Sequence, residues 1–235
     1  MKKRIWSTKF ILLTLWWLIA CERSSKNTVD PTDRPQRVMS PAIEHLCSQL
    51  YAKNKKDKRI SWKGNAPILF SFDASFPEEY ITAVKSAMGT WNKAAGFELF
   101  RSDPNFRDDS VPANDGRNTF YFLGNDEHGV KLRKIVEPLL REDGGLAVTA
   151  VNGRANEIID ADIIFDGIAN TFSIYQIRVG HFDVESVALH ELGHSLGLVH
   201  SAEPSSIMFY GESSVNFALR TLDATTVQTL DCEYR

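Results

Sequence analysis

Three cysteines among 235 residues leave room for one intramolecular bridge once one of them is committed elsewhere, and no apolar run approaches the ~20 residues a membrane-spanning helix needs. A charge excess is missing too: 27 lysines and arginines face 30 aspartates and glutamates, for a formal net charge of −3. A nucleic-acid partner is therefore not expected, because a phosphate-binding surface normally shows as a basic excess. No internal repeat divides the chain. What is present, 43% apolar and 11% aromatic residues, suffices to bury one sizeable core, so one folded domain behind a leader is expected, acting as a monomer.

The leader covers residues 1–21. Lys2, Lys3, Arg4 and Lys9 form a positive end, and an apolar run follows over 10–20, in the order of an export signal. Leu18-Ile19-Ala20-Cys21 resembles the bacterial lipobox, which implies that Cys21 becomes a lipidated amino terminus and tethers the protein to a membrane of the bacterial envelope. Glu22, in place of an aspartate after that cysteine, favours the outer membrane; an ordinary secretory signal is the alternative. In an exported protein Cys47 and Cys232 meet an oxidising compartment and can pair, two free buried thiols being the other reading. Residues 22–40 are polar, contain Pro31 and Pro35 and lack an apolar period, as a flexible tether does. The expected organisation is a signal over 1–21, a tether with a short helix (41–53) over 22–60, and a folded domain over 61–235. The basic run KNKKDKR at 53–59 reads as solvated linker.

Inside the domain, APILFSFD (66–73) reads as a strand. A helix is expected next, capped by Ser75, with Glu78 and Glu79 in its first turn, a core stripe of Ile81, Val84, Met88, Trp91 and Ala95, and an end at Gly96. Further strands are expected at 97–101, 118–123, 145–151 and 158–166, the last two forming a hairpin.

Residues 190–201, HELGHSLGLVHS, hold three of the six histidines. Asp183 can cap the helix that carries them. His190 and His194 are four apart and share a helix face, so their ring nitrogens can reach one ion at about 2.0–2.1 Å. Glu191, one step round, can address a water on that ion without ligating it. Val187, Leu189, Leu192 and Leu196 occupy the other faces, which predicts a buried helix. Gly197 lets the helix stop and the chain swing, so that His200 can return as a third ligand. Three nitrogens leave one coordination position open, the mark of a catalytic zinc; satisfied core histidines on an apolar helix are the competing reading.

The pattern HExxHxxGxxH followed by SIMFY (206–210) resembles the metzincin zinc endopeptidases. Ser201 after the third histidine, and the spacing to Pro204 and Met208, resemble the matrixin branch, the likeness covering about residues 66–231. It implies an α+β fold: a mixed, twisted five-stranded sheet whose edge strand (145–151) borders the active-site cleft, a backing helix, an active-site helix and a final helix at LDATTVQTL. It makes His190, His194 and His200 the ligands of one catalytic zinc, Glu191 the general base, and Met208 the floor beneath the metal. The implied substrate is an extended peptide or protein segment paired with the edge strand, and the implied selectivity pocket lies beside the helix and the turn after Met208. Tyr210 stands where related enzymes carry a tyrosine near the metal, to stabilise the oxyanion or to wall the pocket.

Departures from that pattern narrow the expectation. The histidines that hold a second, structural zinc in animal matrixins are Val148 and Ile164 here, so one zinc is expected. The cysteine-bearing latency motif PRCGxPD is missing, and Leu222-Asp223 replaces a pair of aspartates, so activation by propeptide removal is not expected. Calcium, common in the family, has candidate ligands in Asp103, Asp108 and Asp109 and in Asp126 and Glu127, without the spacing of a recognised calcium loop; solvated loop charge is the competing reading. His45, His128 and His181 are expected to be exposed. The function implied is zinc-dependent endopeptidase. Its rivals are a zinc- or peptide-binding envelope lipoprotein that does not cleave, and a purely structural lipoprotein.

Overall fold

Side chains on a strand point alternately to opposite faces, and this chain clothes both faces of its sheet. The computed structural model describes residues 50–107, 111–142, 145–174, 180–210 and 219–234. Among these residues the elements run β1 (Ile68–Asp73), α1 (Glu78–Ala95), β2 (Phe100–Arg107), β3 (Asn118–Phe122), α2 (Glu127–Glu142), β4 (Ala147–Arg154), β5 (Glu157–Phe165), β6 (Phe172–Ser173), β7 (Phe182–Asp183), α3 (Val184–Ser195) and α4 (Ala224–Tyr234). The main sheet has the order β2-β1-β3-β5-β4, parallel except for β4, which runs antiparallel to β5 at one edge. This is the mixed five-stranded α+β arrangement expected from the sequence. Phe70, Phe72, Phe120, Ile163 and Phe165 meet α1 and α3 in the main core, while Tyr121, Val148, Ala150 and Ile164 on the opposite face meet Leu132, Val136 and Leu140 of α2.

Helix α1 buries the predicted stripe, Ile81, Val84, Met88, Trp91 and Ala95. Its cap is not Ser75. Pro77 takes the N-cap position with extended backbone and no side-chain cap bond, and the Ser75 hydroxyl accepts the Phe122 amide at 3.4 Å, joining the helix entrance to β3 instead. Strand β2 starts at Phe100, later than the 97–101 expected, because Asn92 Oδ1 accepts the amides of Leu99 (2.9 Å) and Phe100 (2.7 Å) and delays the strand. It then runs through Pro104, which an edge strand tolerates because its outer side needs no ladder donor.

Helix α2 was not anticipated. Leu132, Val136 and Leu140 recur at four-residue spacing and form its buried side, but charged residues and Pro138 interrupt the pattern in the sequence. Asp126 begins the helix by accepting the Gly129 amide at 2.6 Å, and Glu127 lies in its first turn. The helix covers Val148 and Ile164, which face each other directly across β4 and β5 and are both buried. Apolar packing thus fills the two positions at which animal relatives were expected to carry metal-binding histidines.

The folded body also starts earlier than residue 61. Leu50, Tyr51 and Ala52 are buried, the Val199 amide donates to Leu50 O (2.7 Å) and the Ala52 amide to Gly197 O (2.8 Å). Tyr51 and Lys53 form strand-like bridges with Leu198 and Arg59, so 51–53 are extended and not the end of a helix; residues 41–49 lie outside those described. The basic run is a turn held down by Asn54, whose Oδ1 accepts the amides of Lys56 and Lys58 and whose Nδ2 donates to Ala155 O at 3.0 Å. Two histidines expected on the surface are half-buried: His181, and His128, which lies 3.3 Å from the buried Asp73 carboxylate; His45 is outside the described residues. Among the described residues no helix is long and apolar enough to cross a membrane, and Cys21 and Cys47 lie outside them. Cys232, on α4, is disulfide-bonded.

Two aspartates of β5 pin the loop that leads into β3. Asp160 Oδ2 accepts the amides of Gly116 (3.0 Å) and Arg117 (3.1 Å), and Asp162 accepts those of Ala113 and Thr119 (both 3.0 Å). Burial, then the neighbouring Asp160 charge, raises the Asp162 carboxyl from 3.8 to about 8, against the opposing pull of its two amide donors. The folded state therefore keeps a proton that the unfolded chain releases, and this contribution to stability is lost as pH rises from about 4 through about 8. In urea unfolding at a series of pH values, the stability of the wild type relative to Asp162→Asn is expected to decline across that window; a constant difference would refute the assignment.

Candidate metal centre

Helix α3 is placed from both ends. At its start Asp183 Oδ2 accepts the Ser186 amide (2.9 Å) and hydroxyl (2.7 Å), the N-cap expected from the sequence. Arg220 clamps the same carboxylate with two donors, Nε to Oδ2 at 2.8 Å and Nη2 to Oδ1, and its Nη1 lies 3.1 Å from Glu185. Along its length Val187, Leu189 and Leu192 are fully buried, and the Trp91 indole donates to Leu189 O at 3.0 Å. At its end the Trp62 indole donates to Ser195 O (2.8 Å) and the Tyr234 hydroxyl to Leu196 O (3.2 Å), so carbonyls left over by the last turn find partners in the core.

Gly197 closes the helix with φ 89°, its amide bonding His194 O (2.8 Å) while the Leu198 amide reaches Gly193 O (3.1 Å). These paired bonds form a Schellman turn, which needs a left-handed residue. A Cβ at Gly197 would also run into the Ile60 carbonyl. The turn swings the chain back so that His200 faces His194.

The three imidazoles then converge. His194 Nε2 lies 3.0 Å from His190 Nε2 and 3.1 Å from His200 Nε2. His190 Nδ1 is 2.6 Å from Ile207 O, and His194 Nδ1 is 2.8 Å from Leu198 O. A carbonyl can only accept, so both Nδ1 atoms carry the proton and both Nε2 lone pairs face inward. Burial lowers the His190 pKa to about 4, against the Ile207 hydrogen bond and with the help of His200; burial, then His190 and His200, drives His194 well below the ordinary value, and burial lowers His200. All three are neutral at pH 7, the form a metal requires. A tetrahedral ion with bonds of about 2.0–2.1 Å has ligand nitrogens about 3.3 Å apart, so this donor set fits zinc after a small expansion. Among the described residues these histidines are the group of three or more His, Cys, Asp or Glu able to hold an ion together.

Met208 is fully buried under α3, and the Ser201 amide donates to its carbonyl at 2.7 Å. Its thioether lies so close to Gly193 that a Cβ there would collide with Sδ. Asp223, second of the Leu222-Asp223 pair, accepts the Ser206 hydroxyl at 2.8 Å and so ties α4 to the turn before Met208. Tyr210 is 68% exposed and its ring lies tilted against that of Phe209, with centroids 4.6 Å apart. Of the acidic residues weighed for calcium, Asp126 caps α2 and Asp103 accepts the Asn105 amide at 2.9 Å; Asp108 and Asp109 lie outside the described residues.

Glu191 is buried beside the histidines, and its Oε2 lies 2.6 Å from the Thr149 hydroxyl of β4. Further along the same face of β4, Val151 and Gly153 line a cavity of about 240 Å³ with Ile60, Gly197, Lys55 and Lys56. Thr149, Gly193 and Arg220 escaped the sequence reading. Gly193 alone left a signal there, since a helix-interior glycine costs about 1 kcal/mol unless something needs its missing side chain.

The sequence profile of the matrixin family matches residues 77–231. Matrilysin from Felis catus is 52% identical over 48 residues, 19% of this chain and 18% of that protein, and matrilysin from Rattus norvegicus 51% over 47 residues, with the same shares. A probable matrix metalloproteinase, 095L, of Invertebrate iridescent virus 3 is 36% identical over 90 residues, 37% of this chain and 24% of that protein. The chain thus spans a quarter or less of the length of these curated relatives. Metalloproteinase-II from Bacteroides fragilis aligns in structure over 82% of this chain and 61% of its own, with a TM-score of 0.38 and 12% identity.

Because the Met208 thioether fills the space a Cβ would need, Gly193→Ala is expected to lower the unfolding free energy by about 1–3 kcal/mol, the usual effect of overpacking. Urea titration checks this, and unchanged stability would show that the turn yields easily.

Proposed function

The chain belongs to the matrixin family, and on that premise we propose that it is a zinc-dependent endopeptidase cutting extended segments of proteins. One observation carries the reading: three neutral imidazoles aim their Nε2 atoms at one point with a buried carboxylate, Glu191, beside them. His190, His194 and His200 would hold a zinc ion, which would supply Lewis acidity and bring the pKa of a water towards about 7. Glu191 would take a proton from the attacking water and return it to the leaving amine. Edge strand β4 offers main-chain groups for an extended peptide to pair with, which binds many sequences alike. Selectivity then falls to the side-chain pocket beside α3 and the turn after Met208. Met208 supports the helix from below, and Tyr210, two residues on, either stabilises the oxyanion or walls the pocket.

A protein that binds zinc or peptide without cutting has no chemical use for a carboxylate at position 191, so Glu191 favours the enzyme over that alternative; a structural lipoprotein would bind no zinc. We further propose export and lipid attachment at Cys21, with the domain tethered to the envelope, and a disulfide between Cys47 and Cys232. Calcium at the acidic loops is not needed for this chemistry.

Incubated with a peptide library, the protein from Ser40 onward is expected to cleave, to stop when a chelator removes zinc, and to resume when zinc is restored. Glu191→Ala should keep zinc and lose roughly 10²–10⁴-fold in kcat. Cleavage at the wild-type rate by that variant would end the proposal. Radiolabelled palmitate should enter the wild type but not Cys21→Ser; equal labelling of the two would refute the anchor.

A further inference from the structure

On the α3-facing side of β4 the sequence alternates Ala147, Thr149 and Val151, and the two neighbours of Thr149 pack in or against the main apolar core. A valine would match Thr149 in shape there, so the hydroxyl stands out chemically. Its Oγ1 lies 2.6 Å from Glu191 Oε2 and 3.1 Å from the Glu191 main-chain oxygen. A hydroxyl has one proton to give, and the carboxylate is both the nearer and the stronger acceptor, at the 2.5–2.7 Å typical of charge-assisted O–H···O⁻ bonds.

The donor is itself firmly held. Threonine is β-branched and restricted at χ1, and β4 pairs with β5 from Ala147 to Arg154, so the strand backbone sets where Oγ1 points. A glutamate carboxylate has the opposite character: its last torsion is broad, and left alone it swings between orientations of similar energy. We propose that Thr149 is a positioning residue for the general base: its hydroxyl engages Oε2 and fixes the plane of the Glu191 carboxylate. The inference rests on the reading of Glu191 as general base. It also makes β4 do two things, since the strand proposed to pair with substrate also carries the group that aligns the base.

Thr149→Val removes the hydroxyl and keeps the shape; Thr149→Ser keeps the hydroxyl. In crystal structures of the metal-free proteins, wild type and Thr149→Ser are expected to show one Glu191 carboxylate orientation bonded to residue 149, and Thr149→Val a rotated or divided one. With zinc restored, Thr149→Val should lose about 10–100-fold in kcat, the scale set by small misplacements of a reacting group, with KM within about twofold and zinc content unchanged; Thr149→Ser should stay near wild type. A carboxylate that does not move in Thr149→Val, an unchanged kcat, a loss confined to KM, or an equal loss in both variants would overturn the proposal. If the zinc-loaded wild type cleaves nothing, the endopeptidase reading fails instead, and the crystal comparison still decides whether Thr149 holds the carboxylate.

Discussion

Two backbone carbonyls set the chemistry of this molecule. Ile207 O and Leu198 O accept the Nδ1 protons of His190 and His194, and with that choice of tautomer the opposite ring nitrogens become bare donors aimed at one another. Neither carbonyl lies on the helix that carries the histidines. Leu198 belongs to the turn that delivers His200, so the segment that supplies the third imidazole also orients the second. Ile207 precedes Met208, so the turn packed under the helix also orients the first. A metal site needs such outer partners as much as its ligands, because they fix ring orientation before the ion arrives.

The remainder of the fold holds α3 still. The Arg220–Asp183 clamp fixes its start, the Trp91 indole its middle, and Trp62 and Tyr234 its last carbonyls, and these groups come from four separate parts of the chain. Bringing bare nitrogen lone pairs within about 3 Å is unfavourable without an ion, and the depressed histidine pKa values carry the same message: this environment resists protons and suits a cation that accepts several lone pairs at once. Close packing at Gly193 and Gly197 lets the turns approach the helix nearly enough for their carbonyls to reach the rings.

Much of this was legible in the sequence. The i, i+4 histidines, the helix-ending glycine and the returning histidine each map onto a simple geometric rule, and the strands of the sheet announced themselves by β-branched and aromatic content. The rest was hidden for identifiable reasons. Helix α2 has a narrow apolar stripe among charges and a proline, so its period is visible only once the strand face it covers is known. Residues 50–53 read as the end of a helix, because their extended order comes from main-chain bonds to Leu198, Val199 and Gly197, which no side-chain pattern encodes. Thr149 and Arg220 act through partners 42 and 37 residues away, a tertiary relation without a local signature. Lys53 to Arg59 shows the reverse case, in which a charge run read as linker is a turn because Asn54 caps it from within.

X-ray absorption at the zinc edge of the purified, metal-loaded protein bears on all of this at once. Three imidazole nitrogens and one oxygen at about 2.0–2.1 Å, with no sulfur, is the shell this arrangement requires. A fourth protein nitrogen or a thiolate in the shell, or protein that takes up no zinc, would contradict it.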